Sequence, residues 1–459
     1  VSALAAVTSA EEGVIAVDNA LTALSERLYP FQRAGASWLA SRSAALLADE
    51  MGTGKTIQAL VAAPISAPIL VVCPAVAKGV WRREAAKWRP DLAVAVLAGR
   101  GSFRWPVLGE MIITNYDILP KEAGLAPAGC VVIVDEAHAV KSSKAQRTKR
   151  LRAVTRAARA AAGKVILITA TPLTSRPVDL WNVLAAAGLD AEAFGSWPAF
   201  VRAFSGRKAK WGGYVWGLPR PEAAQALSRV MLRRLRKDVL PELPPKTWDD
   251  IDVEIDYATR KDCDALVAEL AAMGVDIANA ADEAAMTRAR TVAFSRMSEV
   301  RASLATAKLP ALVEIVADIE EADEPIVVFS AHRAPIDHLG TRDGWAAITG
   351  DTPATARTEI EARFQRGELR GVAATIQAGG VAITLTRAHR AVFVDQDWTP
   401  VLNAQAEDRI CRLGQDRGVI ITRLIADHAL DRRIAEVLAS KTAIIDGSVD
   451  AAAQVGGPI

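Results

Sequence analysis

Short runs of apolar, mostly β-branched residues recur along the chain between longer stretches with helical spacing. In the first half they fall at residues 45–48, 69–73, 111–114, 131–134 and 165–169. Each is apolar at consecutive positions and bounded by turn or capping residues, the pattern of a strand buried on both faces of a parallel sheet. The pattern returns at 326–329, 346–348, 372–375, 391–394 and 419–424. Strands alternating with helices in two separate blocks predict an α/β fold made of two lobes.

Between the blocks, from about 173 to 324, strand signals thin out and Arg- and Trp-rich helical segments take over. This stretch reads as a mainly helical insertion followed by a linker. Pro241, Pro244 and Pro245 break the helical pattern and mark the boundary between lobes. The expected organisation is an N-terminal extension over 1–27, the end of a further domain; a first lobe with its insertion over 28–245; linker and second lobe over 246–440; and a flexible tail over 441–459.

Composition narrows the function classes. A chain of 459 residues with 24% charged side chains is globular, and no apolar run reaches the roughly 18–20 residues a membrane helix needs. Four scattered cysteines without a CxxC pair, and five histidines, make neither a disulfide framework nor a zinc site. Reduced cysteines point to an intracellular compartment, and Glu11 and Glu12 argue against a transit peptide. Lys+Arg 55 against Asp+Glu 53 means that nucleic-acid binding would need a local basic patch. Abundant Ala and Arg with few Lys suggest a GC-rich bacterial or phage genome and a cytoplasmic or nucleoid-associated protein.

The first candidate chemistry follows the first strand: Asp49-Glu50-Met51-Gly52-Thr53-Gly54-Lys55-Thr56, then a helical run. A Gly-rich turn at a helix N-terminus offers backbone N–H groups to phosphates; Lys55 would reach the β/γ-phosphates of ATP and Thr56 would bind Mg²⁺. Asp49 stands where the strict motif has its first Gly. Asp135 and Glu136, in Val-Asp-Glu-Ala-His, end the fourth strand, where ligands of open α/β sheets bind. Asp135 would hold Mg²⁺ and Glu136 would orient or deprotonate the attacking water. In Gln405-Ala406-Glu407-Asp408-Arg409-Ile410-Cys411-Arg412, the i, i+3 spacing would put Arg409 and Arg412 on one helix face as cations for the γ-phosphate.

Leu28-Tyr29-Pro30-Phe31-Gln32, the phosphate loop, Thr114-Asn115-Tyr116-Asp117, Asp-Glu-Ala-His, Thr169-Ala170-Thr171-Pro172 and the Gln405–Arg412 run stand in the order and spacing of superfamily-two helicase motifs. Leu232-Arg233-Arg234-Leu235-Arg236-Lys237-Asp238-Val239, Leu243-Pro244-Pro245-Lys246 and Trp398-Thr399-Pro400 resemble Swi/Snf-family ATPases, and the chain looks most like the HepA-related annealing-helicase subgroup. The resemblance implies two RecA-like lobes with ATP between them, duplex DNA across both, and translocation without processive strand separation. It implies that Gln32 reads the adenine edge, that Gly380 joins residues 51–56 at the nucleotide, and that Trp398 contacts DNA. Ala170, Ala382, Thr384 and Thr399 depart from the family pattern and put coupling to DNA, not hydrolysis, in question.

For DNA itself, residues 141–164 carry many basic residues and no acid. Arg152, Arg156 and Arg159 share a helical face and could track phosphates of duplex DNA independently of sequence; a solvated helix face is the competing account. Trp197, Phe200, Phe204, Trp211 and Trp216 near Arg207, Lys208 and Lys210 invite a base-stacking reading, with core packing of the insertion the favoured one. The residues and the resemblance together point to an ATP-dependent translocase on double-stranded DNA that remodels DNA or nucleoprotein complexes, by strand annealing or fork remodelling. The rival enzyme is a DEAH-type RNA helicase, which lacks the Arg-rich and Leu-Pro-Pro-Lys signatures. The rival binding protein is an ATP-gated clamp, which would need a broken catalytic set.

Overall fold

A computed structural model describes residues 26–174, 176–209, 213–272, 288–379, 383–412 and 414–455. The chain forms two compact units. The first takes the described residues of Val1–Gly206, Trp216–Val239 and Ile445–Ile459; the second takes those of Arg207–Val215 and Leu240–Ile444.

In the first unit the strands are β1 (Ala44–Leu47), β2 (Ile69–Cys73), β3 (Ala93–Val96), β4 (Glu110–Asn115), β5 (Val131–Asp135) and β6 (Lys164–Ile168). β9 (Met231–Leu232) completes this unit's strands; the two-stranded antiparallel ribbon that precedes it in the chain, β7 (Arg207–Lys208) with β8 (Tyr214–Val215), belongs to the second unit. The main sheet has seven parallel strands in the order β3-β4-β2-β5-β6-β1-β9. Leu46, Leu47, Val71, Ile113 and Ile133 are fully buried, because helices cover both faces of such a sheet. A parallel sheet ends all its strands on one side, so β1 and β5 deliver the phosphate loop and the Asp-Glu pair to the same edge.

The second unit has its own six-stranded sheet of β10 (Lys246–Val253), β11 (Ile326–Ser330), β12 (Trp345–Ile348), β13 (Gly371–Thr375), β14 (Arg390–Phe393) and β15 (Val419–Ala426). The order is β10-β15-β14-β11-β13-β12, again parallel throughout. All ten expected strands are present within a residue or two at their ends. The strand over 246–253 was expected as linker. It is an edge strand whose Trp248, Asp249 and Asp250 face solvent while only Val253 is fully buried, so its apolar signal is weak and its acids blunt the open edge.

One further expectation changes, at the tail, and one, core packing of the insertion's aromatic residues, holds. The tail is ordered through Val455: the helix Ala429–Ile445 continues into Asp446–Asp450 and Ala451–Val455. Ser448, Val449 and Ala452 are buried there, and this segment packs against the helix Pro221–Val230, whose inner face is Ala223, Ala224, Leu227 and Val230. The aromatic residues of the insertion form a core of their own. Phe200 and Phe204 are fully buried, and the rings of Trp181, Phe194, Trp197 and Trp216 lie within 4.9–5.8 Å of Phe200. Trp211, most of the N-terminal extension and Gly380 lie outside the described residues.

Candidate active site

The phosphate loop leaves β1 and enters the helix Lys55–Ala62. Gly52 (φ 79°) and Gly54 (φ 76°) are left-handed, a conformation that turns successive N–H groups inward and disfavours any residue with a Cβ. The Lys55 ammonium donates to the carbonyls of Asp49 (2.9 Å) and Glu50 (2.8 Å). Burial lowers its pKa to about 8, against the opposing pull of Asp49, Glu136 and Asp135. A desolvated ammonium held by its own loop is primed to exchange those carbonyls for phosphate oxygens. Met51 is buried against the loop base and Thr56 is half-buried at the helix start.

Gln32 is bonded to the phosphate loop itself. Its Nε2 donates to the Thr53 carbonyl (3.0 Å) and its Oε1 accepts from the Tyr29 N–H (3.1 Å). The amide therefore ties the helix Pro30–Ala40 to the phosphate loop, and a Cβ on Gly54 would come within 2.4 Å of it. An adenine contact would require the Thr53 bond to be given up.

Asp49, the departure from the strict motif, is fully buried and anchors the loop. Its carboxylate accepts from Arg234 Nε (3.1 Å), Arg234 Nη2 (2.5 Å) and Gln58 Nε2 (3.2 Å). Arg234 also donates to Gln58 Oε1 (2.6 Å) and to the Phe31 carbonyl. Its neighbours in the same run act alike: Arg233 Nη1 donates to the carbonyls of Ala48 (2.7 Å) and Ala170 (2.9 Å), and the backbone N–H of Arg236 donates to Glu50 (2.6 Å). The Arg-rich run, read as a linker signature, follows edge strand β9 and clamps the phosphate loop residue by residue.

Asp135 and Glu136 end β5. Asp135 accepts from Trp81 Nε1 (2.7 Å) and from the Glu136 N–H (3.0 Å). Burial, then the neighbouring Glu136 charge, holds its carboxyl above the usual range. Glu136 is left-handed (φ 51°), a strained conformation for a residue with a side chain, and lies 3.1 Å from His138 Nδ1. The Tyr116 hydroxyl donates to the Asp135 carbonyl (2.6 Å), so Thr114-Asn115-Tyr116-Asp117 supports this turn. His138 also meets Thr169 Oγ1 at 3.1 Å, linking the pair to the end of β6. The loop lysine and both carboxylates thus share one electrostatic neighbourhood.

In the second unit the two candidate finger arginines do not share a helix face. The helix Pro400–Glu407 ends before them, placing Arg409 in a turn and Arg412 in the bend beyond. They converge nonetheless: Arg409 Nη1 lies 3.4 Å from the Ile383 carbonyl and Arg412 Nη1 3.5 Å from Thr384 Oγ1. Lys246, from Leu-Pro-Pro-Lys, pairs with Glu407 (3.1 Å) and Asp408 (2.9 Å) just before them, and Gln415 donates to the carbonyls of Ala388 and Ile410 just after. The Arg-rich run and Lys246 are therefore each a clamp on a chemical motif of their own unit.

The proposed DNA-tracking face is largely committed elsewhere. Arg159 donates to the Ala187 carbonyl (2.7 Å) and Arg152 approaches Asn182 (3.4 Å), so both pin their helix Gln146–Ala160 to the end of the helix Pro177–Ala185. Arg156 is exposed. The ring of Trp398 lies beside Arg301 (4.6 Å from its centroid) and Lys441 (5.8 Å) and packs on the core under β15. Intrachain cations thus already lie against Trp398.

Residues 31–289 match the SNF2-related domain, more than half of the chain, and residues 307–414 match the helicase conserved C-terminal domain. The chain belongs to the SNF2-related family. Each of its two units carries an all-parallel sheet with helices, as expected of a RecA-like lobe. Among its relatives is the Xenopus tropicalis SWI/SNF-related matrix-associated actin-dependent regulator of chromatin subfamily A-like protein 1, 30% identical over 92% of this chain and 45% of that protein. Another is the Bos taurus DNA annealing helicase and endonuclease ZRANB3, 29% identical over 89% of this chain and 39% of that protein. The chain thus spans less than half the length of these two relatives. The Sulfolobus solfataricus SWI2/SNF2 ATPase core in complex with dsDNA is 22% identical, with a TM-score of 0.41 over 93% of this chain and 94% of that one. The expected bacterial or phage source finds no support in these relatives, which include animal proteins. No helix among the described residues is long and apolar enough to cross a membrane.

Proposed function

We propose that this SNF2-related chain is a DNA-dependent ATPase that moves along duplex DNA and remodels it, in the manner of annealing or fork remodelling. The observation that carries the reading is the convergence of a desolvated Lys55, the left-handed Gly52 and Gly54, and the Asp135-Glu136 pair at one edge of one sheet. The donor set fits ATP with Mg²⁺: inward N–H groups and an ammonium for phosphates, a hydroxyl and a carboxylate for a hard cation. Mg²⁺, held by Thr56 and Asp135, would neutralise charge on the β- and γ-phosphates.

The chain's own groups do the rest. Lys55 leaves the Asp49 and Glu50 carbonyls for the phosphates, and the arginine clamp keeps the loop in place while it does so. Glu136 orients the attacking water and accepts its proton, the strained turn aiming its carboxylate toward the site. Arg409 and Arg412, brought together within the second unit, are retained as candidate cations.

The SNF2-related match weighs against an RNA helicase, and the intact Lys55, Asp135 and Glu136 weigh against a clamp without turnover. The annealing reading is supported by one relative's being a DNA annealing helicase and endonuclease. The test is ATPase rate with duplex DNA, single-stranded DNA and RNA, together with displacement of a third strand from a triplex. Stimulation by duplexes of unrelated sequence and triplex displacement are expected; stimulation by RNA alone would sink the proposal.

A further inference from the structure

Arg233 is the innermost of the clamp arginines. Its guanidinium is nearly buried and bridges two chemical motifs, donating to the Ala48 carbonyl at the root of the phosphate loop and to the Ala170 carbonyl after β6. Carbonyls accept hydrogen bonds but carry no counter-charge, so a buried guanidinium held only by them would be costly. The counter-charge comes from far along the chain. Asp450 accepts from Arg233 Nε (2.8 Å) and sits 2.7 Å from its Nη2.

Asp450 lies on the segment expected to be a frayed tail, and nothing in its sequence pattern announces a role. The fold delivers it by two routes. The helix Ala429–Ile445 runs directly into Asp446–Asp450, and the segment then buries Val449 and Ala452 against the helix Pro221–Val230. That helix leads straight into β9 and Arg233. The segment therefore supports both the helix before the clamp and the charge of the clamp itself. Arg233 is close enough to Lys55 for its charge to depress the lysine's pKa, so the arrangement reaches the phosphate-binding ammonium.

We propose that Asp450 is a positioning residue for the nucleotide site, acting through Arg233 to fix the phosphate loop against the turn after β6. The inference rests on the ATPase reading and adds to it a residue outside every helicase motif. It also gives the segment after Ile445 a function: it helps to set the nucleotide site of the unit it belongs to.

The test compares the wild-type chain with Asp450→Asn, Asp450→Glu and a chain stopped after Ile445. Fluorescent ATP-analogue titration gives affinity, and steady-state hydrolysis with saturating duplex DNA gives KM and kcat. Loss of a partly exposed charged hydrogen bond should weaken nucleotide binding and raise KM about fivefold in Asp450→Asn, with kcat within about twofold. Asp450→Glu should restore affinity to within about twofold, which a purely steric or stability role would not require. The truncated chain should bind at least as weakly as Asp450→Asn. Unchanged or tighter binding in Asp450→Asn would overturn the inference, as would a fall in kcat alone or a failure of Asp450→Glu to restore affinity. If the wild-type chain bound no nucleotide, the ATPase reading would fall with it; wild-type binding equalled by Asp450→Asn would remove this inference alone.

Discussion

Arg234→Met tests whether the Arg-rich run is a clamp on the phosphate loop. Methionine keeps much of the volume and the packing on Phe31, and removes the charge. The partner left behind, Asp49, has a fully buried side chain, while that of Arg234 is 10% exposed, so solvent cannot replace the lost guanidinium. Removing one member of a buried ion pair costs about 3–5 kcal/mol. Gln58 Nε2 still reaches the Asp49 carboxylate at 3.2 Å, which places the expected loss near the lower end, about 3 kcal/mol. That is roughly a hundredfold in the opening equilibrium of β1 and the helix Lys55–Ala62. Because a chain of two units need not unfold in one step, hydrogen exchange by mass spectrometry over residues 44–62 is the suitable assay. Protection there should drop about a hundredfold, with little change in β11 to β15. The double variant Asp49→Asn with Arg234→Met should recover at least half of the loss, since a neutral amide needs no counter-charge. A change under about fivefold in the single variant, or a double variant as exposed as the single, would refute the clamp.

Lys55→Ala should weaken ATP binding, whereas Glu136→Gln should bind normally and lose turnover by about a hundredfold or more; normal turnover in Glu136→Gln would remove Glu136 from its role. With the Lys55 pKa lowered to about 8 and phosphates expected to restore its charge, ATP binding between pH 8 and 9 should take up a proton and weaken as pH rises. Calorimetry in buffers of different ionisation enthalpy reads this directly, and a buffer-independent heat would contradict it. In the unfolded chain Lys55 titrates near 10.5, so between about 8 and 10.5 the unfolded state holds the extra proton and this group's contribution to stability rises with pH. Arg159→Ala should lower the stability of the helix Gln146–Ala160 by about 1 kcal/mol and change the salt slope of DNA binding by less than the ~0.9 of one phosphate contact. A full unit of slope with unchanged stability would return Arg159 to the DNA.

The chemistry was legible wherever it is written in consecutive residues. A Gly-rich turn before a helix, or an Asp-Glu pair after an apolar run, carries its meaning locally because strand, turn and helix N-terminus are all set within about ten residues. Central strands were legible for a related reason: burial on both faces leaves an uninterrupted apolar run, as in 131–134. Of the edge strands only β12, buried at both ends, was legible; β10 is wet on most of its length, β3 is exposed or half-buried throughout and β9 has two residues.

What local pattern could not show was the use of charge. Arg152, Arg156 and Arg159 are one residue type on one helix, yet two of them dock a helix and one meets solvent, because only the packing of the helix Pro177–Ala185 decides which carbonyls lie within reach. Arg233, Arg234 and Asp49 look like surface charges in a linker and a motif defect, but the tertiary structure makes them part of a buried network whose members lie 185 residues apart in sequence. Asp450 reaches Arg233 across 217. Hydrophobic periodicity is set by which face a residue must bury and can be read one element at a time. The partner of a buried charge depends on which distant element arrives beside it, and that is decided only when the sheets have assembled.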